Sequence, residues 1–121
     1  MQGPENYSGN ETTIFKADKL FDKYDSNLTK QLINKALETL PEYYEQLQKF
    51  YKQKDYKRLR QVAHTIKGMA MNIYTEALQR NAAKLEKAAQ EKNQKKIKIY
   101  MENIKNIYEK TLQKLEEHVA N

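Results

Sequence analysis

Apolar residues recur at three- and four-residue intervals through four successive stretches of this chain, and that period belongs to helices with one buried face. At about 100° per residue, the stretch from Arg60 to Tyr74, with the residue before it, gathers Leu59, Val62, Ala63, Ile66, Ala70 and Ile73 into one stripe. Upstream, Leu32, Ile33, Ala36, Leu40, Tyr43, Leu47 and Phe50 form a second stripe on a helix expected over about 28–52, with Asp25, Ser26 and Asn27 available as N-caps. Asp55 can cap the helix of the first stripe, which should end near Tyr74. Downstream, Leu78, Ala82, Leu85 and Ala89 mark a third face behind Thr75 as its cap. Ile97, Tyr100, Met101, Ile104, Ile107, Tyr108, Leu112, Leu115 and Val119 mark a fourth, over about 95–118.

With 3 Gly and 2 Pro in 121 residues, the composition favours helix over sheet. The expected fold is all-α, an antiparallel up-and-down four-helix bundle with a short extra N-terminal helix. That extra segment carries Ile14, Phe15, Leu20 and Phe21 and is too short to stand without a larger partner. Pro41 lies inside the second stripe, where the missing donor and the ring clash predict a kink; the period continues on both sides, so one helix is expected. Residues 1–11 are polar and aperiodic and are expected to be a disordered leader, leaving 12–121 as one domain.

Composition also excludes chemistry. The chain has no Cys, which removes disulfides, thiol nucleophiles and cysteine zinc sites. Two His and no H-E-x-x-H spacing leave nothing to assemble a hydrolytic or metal centre. No run approaches the roughly 18 apolar residues of a membrane span, and no secretory signal is present, so a cytoplasmic protein with no membrane partner is expected. The net charge of +6, from 22 basic and 16 acidic residues, gives a mild bias towards acidic partners. The lysine-rich stretch from Lys84 to Lys105 reads as a solvated helix face. Several of the 9 Tyr fall on core-facing positions and no reading-helix motif is present, so nucleic acid is not expected as a partner.

His64 lies roughly 150° from the centre of its helix's apolar stripe, on a face shared with Lys57, Arg60, Lys67, Gly68 and Met71. Gly68 in mid-helix costs on the order of 1 kcal/mol relative to Ala. What it provides is bare backbone beside the imidazole, open to a bulky group or a partner surface. Lys67, one turn beyond His64, is placed to meet a phosphoryl group. A histidine held out on a rigid helix with cations beside it suits reversible phosphorylation, because such transfer depends on positioning and charge stabilisation. Lys57 and Arg60 can steer an acidic partner, and outward Met71 fits an adaptable docking patch. His118 lacks this context and is assigned no catalytic role.

The stretch AHTIKGMAMNIYTEALQRNAAKLE resembles the signature of histidine-containing phosphotransfer (HPt) domains. Ala63, His64, Lys67 and Gly68 fall on the family's Ala-His-x-Leu-Lys-Gly run, with Ile66 for the usual Leu; Leu78, Leu85 and Glu86 fall on its later Leu and Leu-Glu positions. Upstream, the Pro-containing helix and the turn into the His helix are similar too, so the likeness spans about residues 14–118. Lys54 and Tyr74 stand where the family commonly has Gly, and Met69 intervenes before Ala70. The resemblance implies that His64 relays a phosphoryl group between receiver-domain aspartates in a two-component phosphorelay. It implies a phosphocarrier without kinase activity of its own. Implied partners are response-regulator receiver domains and a hybrid sensor histidine kinase, with no cofactor on this chain and Mg²⁺ bound in the receiver's acidic pocket. A monomer is expected. The competing reading is a helical-bundle module that docks receiver domains without phosphotransfer; the joint presence of His64, Lys67 and Gly68 argues against it.

Overall fold

The computed structural model describes residues 14–119, so the leader expected at 1–11 lies outside the described residues. Five helices follow in order: α1 (Ala17–Lys23), α2 (Ser26–Lys52), α3 (Tyr56–Asn72), α4 (Glu76–Gln90) and α5 (Gln94–Glu116). The four long ones form the expected antiparallel bundle, and no strand occurs among the described residues. The backbones of α3 and α4 approach most closely, whereas α2 and α5 meet across larger side chains, with Tyr44 stacked on Tyr108 at 4.1 Å between ring centroids. No helix among the described residues is long and apolar enough to cross a membrane.

The stripes read from the sequence are the core. Ile33, Leu40, Leu47, Leu59, Ile66, Leu78, Leu85, Ile97 and Ile104 are all nearly or fully buried. The aromatic positions Tyr43, Phe50, Tyr100 and Tyr108 are only partly covered and pack around its rim. Helix α2 runs unbroken through Pro41, because buried Leu40 and Leu47 anchor it on either side of the missing donor. Thr29, Asn81 and Thr111 are also buried, which apolar periodicity does not reveal. Each is satisfied: Thr111 donates to the Ile107 carbonyl at 2.8 Å, and Asn81 donates to Ala77 at 2.9 Å while accepting from Asn103 of α5.

Helix α1 depends on its contacts. Leu20 is fully buried against Ile33, Ala36, Ile73 and Leu115, a burial worth on the order of 2 kcal/mol. The Lys16 amide donates to the Tyr74 carbonyl at 2.9 Å, and Lys16 Nζ lies 2.9 Å from Glu76 Oε2. The segment is thereby tied to the loop that leaves α3.

The three turns between the long helices repeat one design. Lys54, Tyr74 and Lys92 each adopt a left-handed backbone, with φ of 54°, 60° and 54°. Each donates its amide three residues back, while the next residue donates five residues back, as Asp55 does to Phe50, Thr75 to Ala70 and Asn93 to Ala88. That next residue is also the N-cap of the following helix. Asp55 and Asn93 accept from the amides of Arg58 and Lys96, both at 3.1 Å. Thr75 does not cap with its side chain. Its buried hydroxyl turns back to the Ala70 carbonyl at 3.2 Å, so it closes α3 rather than opening α4. Helix α3 accordingly ends at Asn72, short of Tyr74, and α5 ends at Glu116, two residues before His118.

Candidate functional site

Burial of Leu59, Val62, Ala63, Ile66 and Ala70 fixes the rotation of α3 and turns His64 outward. Its side chain is 66% exposed. Helix α4 is set in the same way by Leu78, Ala82, Leu85 and Ala89. Glu86, next to Leu85, therefore emerges at the seam between α3 and α4 rather than on the open side of its helix. There it meets the His64 face: its Oε2 lies 2.9 Å from His64 Nδ1 and its Oε1 lies 2.8 Å from Lys67 Nζ.

The electrostatics of this trio have a definite direction. Partial burial works against ionisation of Glu86, but the hydrogen bonds from Lys67 and His64, with their positive charge, outweigh it and hold the carboxyl below its ordinary value. An ionised carboxylate only accepts, so Nδ1 of His64 carries the proton. In the neutral imidazole that leaves the lone pair on Nε2, at the solvent-facing end of the ring. The arrangement leaves one ring nitrogen unprotonated and places a carboxylate where it can support positive charge on the ring.

The other residues singled out from the sequence fall around this trio. Arg60 joins His64 and Glu86, with Gln61 and Thr65, in lining an open depression of about 430 Å³. Lys57 and Met71 lie two turns to either side of His64, about 10 Å along the helix axis. Lys57 is exposed, and Met71 is 53% exposed, among the few large apolar side chains so placed. A Cβ built on Gly68 would meet nothing within 4 Å, so the glycine does not serve packing within this chain. Lys67, expected to meet a phosphoryl group on His64, has its ammonium held by Glu86 at 2.8 Å.

The sequence reading assigned no role to Glu86. The Leu-Glu pair was visible, but only the rotation of α4 against α3 reveals that the acid reaches His64. His118 is placed as a packing residue: its Nδ1 lies 3.0 Å from the Lys114 carbonyl, and its ring meets Phe15 edge-on at 5.2 Å between centroids. No group of three His, Cys, Asp or Glu side chains able to hold a metal ion occurs among the described residues.

Residues 31–120 match the family described as Hpt domain. No curated protein and no solved structure matches the chain significantly.

Proposed function

The chain belongs to the Hpt domain family, and so is a histidine phosphotransfer module of two-component signalling; we propose that within it His64 carries phosphoryl groups between receiver-domain aspartates in a phosphorelay. The observation that carries this reading is the 2.9 Å contact of His64 Nδ1 with Glu86, which leaves Nε2 free on an exposed ring. The donor is an aspartyl phosphate. Nε2 attacks phosphorus, the N–P bond forms, and the P–O bond to the aspartate breaks with its electron pair leaving on the carboxylate. The ring keeps its Nδ1 proton and becomes cationic, and Glu86 stabilises it. Reversal at a second receiver returns the phosphoryl group to oxygen.

In-line transfer of this kind is governed by positioning and by charge on the moving group. Lys67 supplies charge once it exchanges from Glu86 to the phosphoryl oxygens. Gly68 leaves open the path by which the receiver approaches, and Lys57, Arg60 and Met71 form the surface it meets. Mg²⁺ is supplied by the receiver's acidic pocket, and this chain contributes no kinase activity. The module acts as a cytoplasmic monomer, with receivers and a hybrid sensor kinase as partners.

The test is transfer from a radiolabelled phospho-receiver to the wild-type chain and to His64→Gln. Acid-labile, base-stable label on the wild type alone supports the relay. Receiver binding without label transfer to the wild type would replace the relay with a docking module.

A further inference from the structure

The side of the bundle away from His64 carries a second feature. Along the seam between α2 and α5 and at its end beside the α2–α3 turn lie two adjoining depressions of about 230 and 480 Å³ that share Tyr51, Lys52 and Lys98. Lys52, Lys54, Lys95, Lys98 and Lys105 line them against one carboxylate, Glu102. All five lysines are exposed. None takes part in the ion pairs found among the described residues, whereas Lys16, Lys35, Lys67 and Lys114 each do. Four of the five crowd one end; α3 and α5 begin there and α2 and α4 end there, so the helix dipoles offset one another and the positive field is that of the lysines themselves. At the spacing of α5, Lys95 to Lys105 spans about 15 Å.

The shape and chemistry of this trough narrow its occupant. Charge strung over that length fits a linear polyanion rather than a single phosphate. No arginine lines it, so the bidentate fork suited to phosphate is missing. A single-stranded nucleic acid needs free aromatic faces. Tyr44, however, is stacked on Tyr108 at 4.1 Å, and Tyr51 and Tyr56 pack against the core, all three only partly exposed. Seating on a membrane needs an exposed apolar face beside the basic one, and the large apolar side chains exposed among the described residues, Leu28, Met71 and Ile99, line neither depression.

We propose that the α2–α5 trough is a docking site for an extended, carboxylate-rich peptide segment of a protein partner. Because His64 lies on the α3–α4 side, such a segment tethers its owner while the phosphotransfer face stays open, raising the partner's effective concentration there. The site does not rest on the phosphotransfer reading.

The test uses the full 121-residue chain and a fluorescein-labelled peptide of alternating Glu and Ser, titrated by anisotropy at low and moderate salt. The variant Lys52→Gln/Lys95→Gln/Lys98→Gln is compared with Lys30→Gln/Lys84→Gln/Lys87→Gln, which has the same net charge and changes exposed lysines elsewhere. Helicity by circular dichroism checks that both fold. The trough variant should bind about tenfold more weakly and the control less than about twofold. Amide shift changes on the wild type should map to α2 and α5. Equal weakening by both variants, or no binding at low salt, would overturn the proposal. So would tighter binding of labelled oligothymidylate or of phosphatidylserine vesicles at the same residues.

Discussion

Glu86 of α4 reaches across to His64 of α3, its Oε2 2.9 Å from the imidazole Nδ1, and with its other oxygen it holds Lys67 at 2.8 Å. One carboxylate thus fixes the tautomer of the His64 imidazole and restrains the cation beside it. Glu86→Ala should slow phosphorylation of His64 by about 10- to 100-fold, the loss corresponding to a hydrogen bond to a charged group. Glu86→Gln keeps an acceptor for Nδ1 and should recover most of that rate. Single-turnover transfer from a phospho-receiver measures both. Equal rates for Ala and wild type would remove Glu86 from the mechanism.

Gly68 separates stability from function. With open space around the added methyl, Gly68→Ala should raise the stability of α3 by about 1 kcal/mol. On the proposed relay the same methyl stands in the receiver's path and should lower the transfer rate. Denaturant unfolding and transfer kinetics on one sample check the two directions together. A stabilised variant with unchanged transfer would mean that the bare backbone serves no partner.

The left-handed turns predict a second stabilising change. Lys92 has φ of 54°, a region that costs a side chain about 1 kcal/mol and glycine nothing. Lys92→Gly should therefore raise the thermal midpoint by several degrees, while Lys92→Ala should leave it nearly unchanged. Lys92 lies in the α4–α5 turn, outside the His64–Glu86–Lys67 trio, so transfer should not alter.

Acid should weaken the fold through two carboxylates. The Lys16 hydrogen bond holds Glu76 below the usual value of 4.5, and Lys67 and His64 do the same for Glu86 against the opposing effect of burial. Depressed folded values mean that this stability is complete above the unfolded value and lost as pH falls through the folded one. The gap in thermal midpoint between wild type and Glu76→Gln should therefore be constant at neutral pH and shrink below about pH 4.5. A gap that persists in acid would show that Glu76 acts by packing and not by charge.

Much of this architecture was legible because it rests on periodicity. The stripe from Leu59 to Ile73 sets which face of α3 is buried, and the outward placement of His64, Arg60 and Met71 follows from counting residues. Single-helix continuity through Pro41 was legible for the same reason. Relations that depend on how two helices are rotated against each other were not. Glu86 meets His64 only because Leu85 is buried in one particular way, and the Asn81–Asn103 pair is a polar contact within a face that reads as apolar. Turn geometry was half legible. Asp55 looks like a cap and is one, and Asn93 is a cap that was not singled out, whereas Thr75 looks like one and instead spends its hydroxyl on the helix before it. Lys54 and Tyr74 departed from the glycines of the resembled family, and the structure gives both the left-handed backbone that glycine would have adopted without cost.

The most direct test of the central claim is imidazole NMR of the ¹⁵N-histidine-labelled chain after incubation with a phospho-receiver and Mg²⁺. One phosphohistidine is expected, substituted at Nε2, with Nδ1 still protonated; His118 should be unmodified and the signal absent in His64→Gln. Phosphorylation at Nδ1, at His118, or not at all while the receiver binds would contradict it.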